Sequence, residues 1–274
     1  MKKTLITTTL LLLLVLAASA HDMFLKFDSF FLAPNGQAVV WLLNGEFNLS
    51  ANPITRDRMR EVSLLGPTGL SHPPATDWRD EGNTSLLHFR TGAAGTYMAG
   101  TSTHPKELAM KAADFNRYLQ LEGVLDTFIE RKKNKQLNLA ATERYSKHVK
   151  AVFQVGQVGQ VGETRSEAYK TPLGYPVEIL PQQNPYQLKV GDTLAALCVK
   201  DGQPLVNQYV LYGVQAAGQN RFTMLKTRTD KNGLARLPLS GAGRWYIKFI
   251  HMSQVNEPPV NYESRWATLT FELK

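Results

Sequence analysis

With 274 residues, 43% of them hydrophobic and 20% charged, the chain is long enough for one large or two ordinary domains, each able to bury a core. Its formal charge of +8 is dispersed, with no arginine-rich run interleaved with aromatics, which argues against nucleic acid as a partner. The single cysteine, Cys198, excludes an intrachain disulfide, and its place in the alternating segment TLAALCVKDG reads as a small buried apolar residue.

Residues 1–20 read as a secretory signal. Lys2 and Lys3 form a basic start, Leu5 to Leu16 an apolar stretch, and Ala18-Ser19-Ala20 a small-x-small cleavage site. The apolar stretch falls short of the ~20 residues of a comfortable membrane span, and no later stretch is apolar enough to cross. The expected product is a soluble protein, periplasmic or secreted, without stable membrane insertion, whose mature chain starts at His21.

From His21 to about Thr103, short apolar runs such as QAVVWLLNGEF and SLLHFRTGAAGTYMAGTST are broken at close intervals by Gly, Pro and Asn, the pattern of a β-sandwich. At Pro105 the character changes. Phe115, Leu119 and Leu121, then Val124, Leu125 and Phe128, recur at helical spacing, with Gly123 dividing two short helices. The segment NLAATERYSKHVKAVFQVG reads as a further helix-like or turn segment leading into a return strand, so a helical insertion is expected over about 105–150. GQVGQVGETR reads as a Gly-rich turn. Beyond it, alternating segments punctuated by Asp201-Gly202, Asn232-Gly233 and Gly241-Ala242-Gly243 predict about seven strands. The expected fold is mainly β: an N-terminal β-sandwich over 21–165 carrying the helical insertion, and a C-terminal immunoglobulin-like β-sandwich over 166–274.

Two resemblances follow from these residues. GQPLVNQYVLYG with TRTDKNGLARLPLSGAGRWYIKF resembles small secreted sandwich modules. His21-Asp22, FNRYLQLEG, ERYSKHVKAVFQVG, LGYPVEILPQQNPYQLKVGD, His251-Met252 and YESRWATLTFEL together resemble the periplasmic domain-of-unknown-function family once grouped with nickel-uptake (NikM-like) components. That resemblance implies exported handling of nickel or cobalt, with a membrane metal transporter as partner.

The residues themselves point to a metal by another route. A mature N-terminal His21 carries a free α-amine beside its imidazole, and the amine and Nδ1 together form a chelate. Both must be unprotonated, which reference pKa values of ~7.7–8.0 and ~6.5 allow near neutral pH. Nitrogen donors suit Cu(II) and Ni(II), and also Zn(II). Met23 at the third position excludes the amino-terminal copper/nickel motif, which needs histidine there. A second ligand is expected from His251, read as a strand end entering a loop, or from His104, at the mouth of GTYMAGTST. Met252 beside His251 reads as packing. His148, His88 and His72 read as hydrogen-bonded strand or loop residues. Asp22 is placed to orient His21. Glu178, acidic inside an apolar stretch, needs a cation such as Arg144 or Lys147, and Glu263 reads as structural.

The sequence contains no Gly-x-Ser-x-Gly elbow, no His-Glu-x-x-His and no phosphate loop, so a non-enzymatic role is expected. The leading expectation is an exported metal-binding protein that captures or delivers nickel, cobalt or copper through His21, completed by His251 or His104. The alternative is a non-catalytic β-sandwich module that binds or scaffolds a periplasmic protein or a glycan. A copper oxygenase is a third reading, which would need a flat aromatic platform as well.

Overall fold

A computed structural model describes residues 22–157, 159 and 166–274. The chain opens with β1 (Asp22–Lys26), β2 (Phe31–Leu32), β3 (Gln37–Glu46) and β4 (Leu49–Ser50). There follow β5 (Met59–Gly66), β6 (Gly69–Ser71), β7 (Trp78–Glu81), β8 (Thr84–Arg90), β9 (Gly95–Thr103) and β10 (Lys106–Met110). Two helices, α1 (Ala112–Leu121) and α2 (Leu125–Lys133), precede β11 (Ala141–Val155). The second half adds β12 (Val177–Pro181), β13 (Thr193–Lys200), β14 (Gln203–Pro204), β15 (Tyr209–Gln215) and β16 (Thr223–Arg228). It closes with β17 (Leu234–Pro238), β18 (Gly243–Glu257) and β19 (Val260–Leu273).

The strands form three sheets. The central one is the largest, with the order β16-β15-β18-β19-β11-β9-β5-β6, and β2 and β10 added on β11. It is mainly antiparallel, but β11 and β19 run parallel, with Glu143 opposite Tyr262 and Ala151 opposite Thr270. This pairing joins strands of both halves of the sequence in one sheet. A smaller sheet, β1-β3-β8-β7 with β4, covers one face. A third, β12-β13-β14 with β17, covers the other.

The alternation of β11 shows how one strand serves both faces. Its odd positions Val149, Ala151, Phe153 and Val155 pack with Leu25, Phe27, Val40 and Leu42 of the first small sheet. Its even position Val152 joins Val177, Leu194, Cys198, Ile247 and Leu269 in the core facing the third sheet. The molecule is therefore mainly β and sandwich-like, with two cores on opposite faces of a shared sheet.

The expected helical insertion is confined to 112–133, with β10 before it and β11 after it. The segment ERYSKHVKAVFQV is a strand throughout. Its signature is masked because both faces are buried: polar Glu143, Lys147, His148 and Lys150 all lie inside, so apolar and polar residues do not alternate. The helices follow the predicted face in part: Phe115, Leu119 and Val124 are buried, whereas Leu121 is exposed. Phe115, Tyr118 and Leu119 of α1 pack on Tyr262, Trp266 and Ile250. Gly123, at φ +77, makes the left-handed turn between the helices that a side chain would resist. Asp201 and Gly202 both have positive φ, as a two-residue turn between β13 and β14 requires. No helix among the described residues is long and apolar enough to cross a membrane.

Candidate ligand site beside the first strand

Lys248 alone interrupts the apolar run WYIKFI of β18, and Lys147, between Ser146 and His148, is one of two lysines in β11. Both are buried. Between their strands lies β19, and the indole of Trp266 on β19 serves both: Lys147 Nζ is 5.0 Å and Lys248 Nζ 5.5 Å from its ring centre. Lys248 Nζ donates to both carboxylate oxygens of Asp22, at 2.7 and 3.0 Å, and to Glu122 Oε2 at 2.7 Å. A third carboxylate, Glu143, accepts from the Tyr118 hydroxyl at 2.8 Å and from Ser264 Oγ, which in turn accepts from Trp266 Nε1 at 3.0 Å. The other Glu143 oxygen is buried and has no hydrogen-bond partner among the described residues.

Burial and charge pull these groups in different directions. Burial alone would lower Lys248, but Asp22 and Glu122 outweigh it and hold the ammonium above the usual lysine value. For Lys147 burial wins: it is pushed down to about 8, although Asp22 and Glu122 pull the other way. Burial also raises Glu143, against the hydrogen bonds from Ser264 and Tyr118. A cluster of buried groups with shifted protonation, one of them lining a cavity, marks a candidate site, though structural ion-pair networks shift protonation in the same way.

The cavity is a cleft of about 150 Å³ that opens over Lys147. Met23 and Ile54 give it an apolar wall, Asn44, Tyr145 and Lys147 its inner end, and Arg58 and Lys106 its rim. Lys147 Nζ stands 3.4 Å from Asn44 Oδ1. The Arg58 guanidinium lies over the Tyr145 ring at 5.4 Å, and its Nη1 donates to the His104 carbonyl at 2.6 Å.

His21 lies outside the described residues. The residue after it, Asp22, is fixed by Lys248, and β1 is in register with β3 from Asp22 opposite Gly45 onward. His104 is exposed at the end of β9, where its backbone N–H donates to Arg58 O at 2.9 Å, so its loop borders the cleft. His251 is not at a strand end: β18 continues to Glu257. It shares a face with Ile247 and Phe249, toward the third sheet, whereas Lys248 and its partner Asp22 are on the opposite face. Its ring stands 3.3 Å from Gln208 Oε1, and burial, with Lys200 and Arg265 nearby, lowers its pKa. No three His, Cys, Asp or Glu side chains converge in a metal-holding group among the described residues.

The remaining candidates have structural roles. His148 is buried between Ser102 Oγ at 2.8 Å and Ser146 Oγ at 3.0 Å, and burial drives its pKa down to about 3. His88 is exposed on β8, and His72 lies 3.6 Å from Glu61. Glu178 does meet a buried cation, but it is Lys150, at 2.9 Å; Arg144 instead pairs with Glu107 and Glu257. Glu263 pairs with Arg265 at 2.9 Å. Cys198 is buried, and burial raises its thiol to about 12. Of the cluster of Lys147, Lys248, Glu122 and Glu143, sequence singled out Lys147 alone, and as a partner for Glu178; the other three were not among its candidates. The cluster's one signal is the lone Lys248 inside the apolar run WYIKFI, which sequence alone assigns as readily to a snorkelling side chain.

Comparison with known families matches residues 18–253 to a model described as Domain of unknown function (DUF4198). The chain belongs to this family. Membership covers most of the sequence and indicates no catalytic class. Comparison with curated proteins finds no match. Among solved structures, the chain is similar to Escherichia coli alpha-2-macroglobulin activated by porcine elastase, at 9% identity and a TM-score of 0.25. That match covers 92% of this chain and 20% of the other. It is also similar to a tetra-tandem repeat in the extending region of a large adhesion protein, at 8% identity and a TM-score of 0.24, covering 93% of this chain and 50% of that one. The chain thus spans half or less of the length of these structures.

Proposed function

We propose that this DUF4198 protein is exported and binds a divalent transition metal, nickel, cobalt or copper, through the α-amine and imidazole of a mature N-terminal His21. The observation that carries this reading is the anchoring of Asp22. Lys248 holds its carboxylate by two hydrogen bonds at the first residue of a strand paired along its length. A chain cleaved before His21 would therefore offer its chelate one peptide bond from a fixed point, and little chain entropy would be lost on binding. Because no described group of three ligands exists, the metal site depends on His21. His104 is the better second ligand: its loop borders the cleft that Met23 lines, whereas His251 is on the sheet face away from Asp22. The metal is cargo, and a membrane transporter is the partner that capture and delivery would require.

The test uses protein secreted with its native signal. Mass spectrometry defines the mature start, and Cu(II), Ni(II) and Co(II) are titrated into that protein and into a version with one residue added before His21. The native start should bind at least about tenfold tighter, the equivalent of one lost nitrogen ligand. His104→Ala should weaken binding and His251→Ala should not. Equal binding by both versions, or none by either, sinks the chelate. A second reading, a binding or scaffold module, is favoured by β16, which pairs only with β15 among the described strands and exposes Met224 and Leu225 at the sheet edge. Capture of a partner protein that persists in the extended version and is lost on Leu225→Lys would favour that reading.

A further inference from the structure

We infer that a second cleft, lined from both the first small sheet and the central sheet, is a binding site for a small aromatic carboxylate. It lies where the turn after β8 faces the β5–β6 hairpin, and its volume is about 350 Å³. Both walls are held in place. Thr91 Oγ1 donates to Ala33 O at 2.7 Å and accepts from Gly36 N at 2.9 Å, and Asn35 N donates to Gly92 O at 2.9 Å. On the other side Leu64 is opposite Ser71 and Gly66 opposite Gly69, and Ser71 Oγ donates to Leu64 O at 3.2 Å. The cleft is thus formed before any ligand arrives, and little ordering is left for binding to impose.

The lining divides into an aromatic floor and one charge. Phe89, Tyr97 and Phe153 belong to a continuous ring cluster: Tyr97 stacks on Phe153 with centres 5.5 Å apart, and Phe89 meets Phe153 edge-on at 5.8 Å. Gly66 is needed beside them, because a Cβ there would stand 2.1 Å from the Tyr97 ring. Arg90 is the one charged side chain that lines the cleft. It is exposed, and its guanidinium has no hydrogen-bond or ion-pair partner among the described residues. A ligand that answers both features has an apolar body and one negative group. Ring-on-ring contact adds to what buried area alone supplies, so a planar aromatic body gains more on this floor than an alkyl chain does. The planar fork of Arg90 suits a carboxylate. Cavities of about 150 Å³ accept benzene, so a cleft of about 350 Å³ suits two fused rings bearing a carboxylate, about thirteen heavy atoms.

Neither His104 nor His251 lines this cleft, and metal-free mature protein tests it apart from any chelate. Three probes are titrated by calorimetry at low ionic strength: 2-naphthoate, uncharged 2-naphthamide with the same rings, and decanoate with the same charge on an alkyl chain. The naphthoate should bind at least about fivefold tighter than either of the others. Arg90→Gln should weaken naphthoate by about fivefold, leave naphthamide unchanged and keep the circular dichroism native. Arg79→Gln, exposed on β7 outside the cleft, should change neither. Phe89→Leu should weaken both naphthyl ligands. Naphthamide or decanoate binding as tightly as naphthoate overturns the inference. So does naphthoate binding that Arg90→Gln leaves unchanged or that Arg79→Gln weakens equally, or no naphthoate binding at all.

Discussion

Lys147 and Lys150 are three residues apart on β11 and therefore face opposite sides of the central sheet. Both are buried, and burial lowers the pKa of both, yet their surroundings differ. Lys150 meets Glu178 at 2.9 Å, and Glu178 also accepts from the backbone N–H groups of Leu173, Gly174 and Tyr175 at 2.9 to 3.2 Å. That carboxylate is satisfied on every side and pins a loop against the sheet. Lys147 faces a cleft, shares Trp266 with a second lysine, and neighbours a carboxylate with one idle oxygen. A closed buried pair fixes architecture. Lys147, drawn on by Asp22 and Glu122, lies instead beside a cleft that reaches solvent.

Breaking the closed pair should produce the largest effect. Glu178→Ala leaves Lys150 buried without its counter-charge and three N–H groups without an acceptor, and should cost about 3–5 kcal/mol in urea denaturation. Lys150→Met combined with Glu178→Leu should cost less than Glu178→Ala, because no charge is stranded. If the single substitution costs under about 1 kcal/mol, the pair is not the pin that sets it apart from Lys147.

The Lys147 side should show its effect as a pH dependence. Lys147 titrates at about 8 in the folded protein and 10.5 when unfolded, so the unfolded chain binds the proton more tightly. Its charge therefore costs stability in full below about pH 8, and that cost disappears between pH 8 and 10.5, a gain of about 3 kcal/mol. Asp22, Glu122, Lys248 and Arg58 all act on the same amine. The difference between wild type and Lys147→Met should carry this rise; a difference independent of pH would mean that the amine is not strained by burial.

His148, on the closed side, sharpens the comparison at acid pH. Its folded value of about 3 lies below the unfolded 6.5, so it contributes nothing above pH 6.5 and destabilises as pH falls. The loss should reach about 2 kcal/mol by roughly pH 5, and His148→Gln should reduce it. The smallest effect concerns Cys198, which packs in the same closed core. With its thiol raised to about 12, it should react with iodoacetamide only in denaturant.

Much of the fold was legible because local chemistry dictates it. Asp201-Gly202 forms the turn its residues favour, Gly123 parts two helices, and Cys198 is buried as its alternating strand implied. What could not be read is non-local. The strand character of β11 depends on covering both faces, and its neighbour β19 lies more than a hundred residues away in the chain. SQVNE is polar, which reads as the end of a strand at His251, but β18 runs on to Glu257 paired with β19, and its last residues are exposed and so tolerate polar side chains. The candidate site escaped for the same reason: its charges come from β1, α1, β11 and β18, and only the fold brings Asp22 to Lys248 and Lys147 beneath Arg58.

The parallel pairing of β11 with β19 also sets an order on folding. During synthesis the first half of the chain can form its small sheet and its hairpins, but β11 keeps a bare edge until residues 260–273 emerge. Pairing across so long a stretch of chain is slow, and the waiting edge is open to other strands. Completion of the central sheet is thus timed by its last strand.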